Sequence, residues 1–181
     1  MKQCVFLIIL ALALVFAFAG CDTPADFIPD PNAPADFAFS IDFGIYGKSN
    51  IDTYKNTFTK DLVEDGRKTI DFVIPADKMQ EIYEAFVEYN IFGLPADINA
   101  AANISDPELA MAWTPCSEYS LTYTFNGEKR TVVCNDGGPW DAENGPSAER
   151  NRLVDFVRFI VEYIYSSNEY QNMPPTKGGY E

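Results

Sequence analysis

The stretch CNDGGPWDAENGP, residues 134–146, gathers side chains that could do chemistry. Asp136, Asp141 and Glu143, with the amides of Asn135 and Asn144, place several oxygen donors in a short loop, and that is the donor set a hard cation such as Ca²⁺ takes. The order of acids and glycine is not that of an EF-hand, so no metal is assigned. Two carboxylates beside Trp140 are also the parts of a sugar-binding cleft or a glycosidase acid–base pair. The same residues suit a polar loop leading to an N-cap at Ser147, with Trp140 packed over the helix that follows. Trp113 lies in an irregular segment on the far side of the intervening hairpin. If the two loops meet, Trp113 and Trp140 form one aromatic patch, and aromatic side chains anchor interfaces. The candidate ligand or partner surface is therefore Trp113, Trp140, Asp136, Asp141 and Glu143.

The chain has no histidine. That removes the commonest general base and metal ligand, and with them Ser-His and Cys-His nucleophile pairs and Cys/His zinc sites. An enzyme built from this sequence would have to use carboxylates, Lys, Tyr or a hard metal ion, and the alternative carried forward is a carboxylate-dependent envelope hydrolase. No catalytic residue and no cofactor is assigned, and a non-enzymatic binding or interaction module is the favoured reading. The net charge is −14, which argues against nucleic acid and against docking on anionic head groups. An acidic surface is also a plain solubility device.

Hydrophobic period gives the elements that must position these residues. Phe37, Phe39, Ile41 and Phe43 alternate with Ala38, Ser40 and Asp42, a half-buried strand. Residues 51–60, rich in Thr and aromatics, read as a second strand, and Ile70, Phe72 and Ile74 as a third. Asp65-Gly66 is a turn signal. Met79, Ile82, Tyr83, Phe86 and Val87 then follow a helical period, with Glu81, Glu84 and Glu88 on the opposite side and Asp77 in the first turn. Gly93 and Pro95 close that region. Residues 96–115 are irregular, with a short helix expected from Asp106 to Trp113.

Asn126-Gly127 between two alternating runs is a type I′ hairpin signal. The register that follows sets Phe125 opposite Glu128, Tyr123 opposite Arg130, Leu121 opposite Val132 and Tyr119 opposite Cys134. Leu153, Phe156, Val157, Ile160, Val161 and Ile164 form the apolar side of a second helix. The order β-β-β-α-β-β-α predicts an α+β fold, a mainly antiparallel sheet of about five strands with two amphipathic helices on one face.

Cys116 and Cys134 raise the question of a disulfide, worth about 3 kcal/mol for a loop of this length. The hairpin register puts Cys116 opposite Gly137, too far from Cys134 for a bridge. A bulge near Pro115 would shift Cys116 by one place. Both outcomes stay open, the other being two separate thiols with Cys134 as a small apolar core residue.

The start of the chain bears on location. Met1-Lys2-Gln3 carries one positive charge, and Cys4 to Phe18 has no charged residue. This is the n-region and h-region pattern of a secretory signal peptide, and it lies at the short edge of a membrane span with no basic residue after it. Ala19-Gly20-Cys21 resembles the lipobox of bacterial lipoproteins, with Phe18 where Leu is usual. An ordinary secretory signal followed by an unmodified cysteine is the alternative. The resemblance implies cleavage before Cys21 and a diacylglycerol thioether on its sulfur. Two acyl chains hold a protein on a membrane where one does so only marginally.

Removing residues 1–20, which carry Lys2 and no acid, takes the net charge from −14 to −15. Residues 21–36, with Pro24, Pro29, Pro31 and Pro34, read as an extended tether. Residues 37–168 form one α+β domain and 169–181 an extended tail. The segments EIYEAFVEYNIF and EYQNMPP, and the late GGY, are loosely similar to those of uncharacterised small lipoproteins of Gram-positive-type bacteria, which implies no activity. The expected location is the extracytoplasmic face of a bacterial cell membrane, with a small ligand or an envelope protein as partner.

Overall fold

A computed structural model describes residues 30–101, 112–138 and 145–181. Six antiparallel strands form one sheet in the order β4-β3-β2-β1-β5-β6. They are β1 (Ala38–Phe43), β2 (Ser49–Asp52), β3 (Thr57–Asp61), β4 (Arg67–Asp71), β5 (Glu118–Phe125) and β6 (Glu128–Asn135). The first four make a meander, and the β5–β6 hairpin joins the other side of β1. Helix α1 (Ala76–Glu88), a 3₁₀ turn (Ile91–Gly93), the single-turn α2 (Ile98–Ala101), the long α3 (Ala148–Ser166) and the single-turn α4 (Asn168–Gln171) complete the described elements. The α+β class and the two amphipathic helices match the sequence reading.

Period-two alternation fixes which side of the sheet is covered. Phe39, Ile41 and Phe43 of β1, Ile51, Phe58, Leu121, Tyr123 and Val132 all point to the helix side and are buried. Phe86 of α1 is the hub of that core: its ring lies 5.5 Å from Phe37, 4.6 Å from Phe92, 4.8 Å from Tyr123 and 5.6 Å from Phe156 of α3. These are edge-to-face contacts, the geometry the ring quadrupole prefers.

Residues 51–60 are two strands, not one. β2 ends at Asp52, and the chain reverses through a turn in which Asn56 takes φ +53°. The Asp52 carboxylate, buried at 4 % exposure, drives the reversal by accepting from Lys55 N at 3.1 Å and Lys55 Nζ at 2.6 Å. The break in the pattern is only Lys55-Asn56, with Thr and an aromatic residue on each side of it, and a reading by composition passes over so short an interruption. The sheet therefore has six strands instead of about five. The third expected strand, read at Ile70, Phe72 and Ile74, begins earlier, at Arg67, and Phe72 and Ile74 lie beyond its end yet are buried.

The hairpin follows the expected register pair by pair, from Phe125↔Glu128 to Tyr119↔Cys134. Asn126 and Gly127 take φ +49° and +80°, the two positive values a type I′ turn needs. Asp36 secures the turn from outside, its carboxylate accepting from Asn126 N at 3.1 Å and Gly127 N at 2.6 Å. The described end of the expected tether lies against the domain: Tyr83 donates its hydroxyl to Asp30 O at 2.8 Å, and Gln80 Nε2 donates to Pro31 O at 2.9 Å. The C-terminal tail is pinned as well. Lys60 Nζ donates to Pro174 O at 3.0 Å, and Tyr180 donates its hydroxyl to Asp61 Oδ2 at 2.5 Å.

Candidate functional site

Asp136 follows β6 and turns toward α3. Ser147 caps that helix as expected, its hydroxyl accepting from Arg150 N at 3.2 Å. The cap sets Arg150 in the first turn, where its guanidinium grips Asp136: Nε donates to Asp136 Oδ1 at 2.7 Å and Nη2 donates to the same oxygen. Asp136 thus serves a partly buried ion pair that ties the loop to the helix. Trp140, Asp141 and Glu143 lie outside the described residues, as do Cys21 and the expected helix from Asp106 through residue 111.

Trp113 is described and its side chain is 51 % exposed. Its backbone N–H donates to Gly137 O at 2.8 Å, so the Trp113 segment and the Asp136 loop do meet through the main chain. The approach is close enough to require glycine at 137, because a Cβ there would stand 2.6 Å from Cys116 Sγ. Cys116 and Cys134 are both buried and unbonded. The Cys116 thiol donates to Asn135 Oδ1 at 3.1 Å, which also accepts from Gly137 N at 2.7 Å. Burial pushes the Cys134 thiol up to about 12, with the Asp136 charge adding to the rise and Arg150 opposing it. A thiol so placed is a core residue, not a nucleophile.

A cleft of about 400 Å³ opens on the side of the sheet that no described helix packs across, beside this junction. Asp42, Glu118, Ser120 and Asn135 come from alternate positions of β1, β5 and β6. Asp97 and Asn99 come from α2 and the residues before it. That helix is held at the β6 edge by Val133 N donating to Ala96 O at 2.8 Å, and by Asn99, which accepts from Asn135 N at 2.6 Å and donates to Asn135 O at 2.9 Å. Tyr46, 39 % exposed, forms the wall and shares a hydrogen bond with Thr114 Oγ1 at 3.2 Å, one residue from Trp113. Lys48 Nζ stands 5.5 Å from the Tyr46 ring and 4.2 Å from that of Tyr180, whose ring meets Tyr46 edge-on at 5.6 Å. The tail thereby braces the cleft wall.

Of the residues singled out from the sequence, the structure brings Trp113 and Asp136 to one junction and commits Asp136 to Arg150. The cleft residues themselves were not singled out. Asp42 was legible as the polar side of an alternating strand, whereas Asp97 and Asn99 reach the cleft through tertiary packing that no local pattern announces. Among the described residues there is no group of three or more Cys, Asp or Glu side chains placed to hold a metal ion. No helix among them is long and apolar enough to cross a membrane. Comparison with protein-family models and with curated proteins gives no match.

Proposed function

We propose that the chain is a lipid-anchored extracytoplasmic module that binds a ligand or partner at the bacterial envelope and carries out no reaction. The observation that carries this reading is the cleft on the sheet side that no described helix packs across, walled by Tyr46 and flanked by exposed Trp113. The polar groups there, Asp42, Asp97, Glu118, Asn99 and Asn135, suit hydrogen-bonded recognition. The commitment of Asp136 to Arg150 weakens the hydrolase alternative by removing the first of its expected carboxylates. The anchor rests on the apolar run ending in Ala19-Gly20-Cys21.

In-cell crosslinking of the full-length chain, with mass spectrometry of what is captured, tests the reading. A reproducible partner lost in Trp113→Ala or Tyr46→Ala supports it. Cys21→Ser should move the protein out of the membrane fraction. Membrane retention of that variant sinks the lipid anchor, and a capture pattern unchanged by both aromatic substitutions sinks the cleft.

A further inference from the structure

A second cavity, of about 560 Å³, lies on the opposite side of the sheet at the hairpin corner. It exists because the covered face of β6 changes character along its length. Cys134 and Val132 are buried, but the next two residues on the same side, Arg130 and Glu128, are exposed. Among the described residues no helix extends over them. The 3₁₀ turn Ile91–Gly93, set by Asn90 at φ +49°, closes the other wall with Phe92. The floor is aromatic: Tyr123 and Phe125 of β5, with Phe92 at 4.7 Å from Phe125 and 6.4 Å from Tyr123. A mostly apolar concavity of this size with a few converging polar groups is the usual form of a small-molecule site.

The polar groups define the ligand. Arg130 and Glu128 carry opposite charges at alternate positions of one strand, about 7 Å apart along the backbone, and both line the cavity. Among the described residues neither takes part in an ion pair, with the other or with any third group. Arg130 is nonetheless placed, since Nη1 donates to Phe92 O at 3.1 Å and the guanidinium meets the Tyr123 hydroxyl. A guanidinium has five N–H donors, so others remain for an incoming carboxylate.

We propose that this cavity binds a small zwitterion with an apolar body, an aromatic α-amino acid, with its carboxylate on Arg130, its ammonium on Glu128 and its ring against Phe92 and Phe125. The site is separate from the cleft on the other side of the sheet and does not depend on the lipid anchor.

Calorimetric titration of the full chain in detergent micelles tests it with three probes: L-phenylalanine, 3-phenylpropionate, which lacks the ammonium, and 2-phenylethylamine, which lacks the carboxylate. L-Phenylalanine should bind with one site per chain, and each truncated probe about tenfold more weakly. Arg130→Gln should bring L-phenylalanine down to the level of 2-phenylethylamine, and Glu128→Gln should bring it down to that of 3-phenylpropionate. Both side chains are exposed, so the variants keep the fold, which circular dichroism verifies. No heat with L-phenylalanine, equal affinity for the three probes, tighter binding of 3-phenylpropionate than of L-phenylalanine, or an equal loss for all probes in either variant would overturn the proposal.

Discussion

On the helix side of the sheet, β1 presents Phe39, Ile41 and Phe43, each at 5 % exposure or less. On the other side the same strand presents Ser40 and Asp42, and its neighbours present Asn50, Thr122 and Thr124. The first side is closed by rings meeting edge to face. The second is held by short polar side chains bonded across strands: Thr59 with Thr69 at 2.8 Å, Thr122 with Thr131 at 2.9 Å, and Asn50 Nδ2 donating to Asp42 Oδ1 at 2.7 Å. Burial of apolar area supplies most of the stability of a fold, whereas exposed hydrogen bonds exchange with water for little net gain. One side therefore stabilises the domain, and most of the other tolerates substitution without threatening the fold.

Substitutions should reproduce that asymmetry. The largest effect is expected at Phe86, which touches both helices and the sheet. Phe86→Ala should cost about 3–5 kcal/mol in urea unfolding followed by circular dichroism. A loss below about 1 kcal/mol would show that the ring cluster is not the centre of the core. Cys134 probes the same side by chemistry. With its thiol raised from 9.0 to about 12, native alkylation by iodoacetamide at pH 9 should run roughly three orders of magnitude slower than in urea. The sign for stability follows. Below pH 9 both states hold the proton and nothing is lost; between 9 and 12 only the unfolded thiol ionises, so stability falls as pH rises. Cys134→Val should flatten part of that alkaline slope in pH-dependent urea melts, and an unchanged slope would place Cys134 in contact with water.

Asp52 is the exception on the polar side, a buried carboxylate that organises the β2–β3 turn. Asp52→Ala leaves the Lys55 backbone N–H and ammonium without their acceptor and should cost about 1–3 kcal/mol by the same melts. Asp52→Asn retains an acceptor for the backbone N–H and should recover part of that loss. Equal losses in the two variants would mean that the charge, and not the turn geometry, is what matters.

The difference between the two sides also explains what could be read from the sequence. Strict alternation in Phe37–Phe43 and around Asn126-Gly127 carries both register and orientation, because a slip of one residue would exchange the faces. The helices announce themselves by period, and Ser147 by its place just ahead of one. The β2–β3 turn was hidden because its only sign is Lys55-Asn56, set between Thr and aromatic residues that suit a strand on either side. The cleft was hidden for another reason: Asp42, Asp97, Asn99 and Glu118 are distant in sequence and meet only when α2 docks on the β6 edge through a main-chain bond. The cavity at the hairpin corner had a local sign, the change from Val132 to Arg130 and Glu128 on an otherwise apolar side. Its aromatic wall, Phe92, comes from a 3₁₀ turn that no period predicts.

The smallest effect is expected on the open side. Thr122→Val removes the hydroxyl shared with Thr131 and keeps the β-branched shape, so the strand loses no packing volume. The freed Thr131 hydroxyl is exposed and turns to water, so no buried group is left unsatisfied. The change should lie within about 0.5 kcal/mol of zero in urea unfolding. A cost of 2 kcal/mol or more would mean that the polar ladder supports the fold as the ring cluster does. The two sides would then share one role, and the open side would lose its freedom to vary for binding.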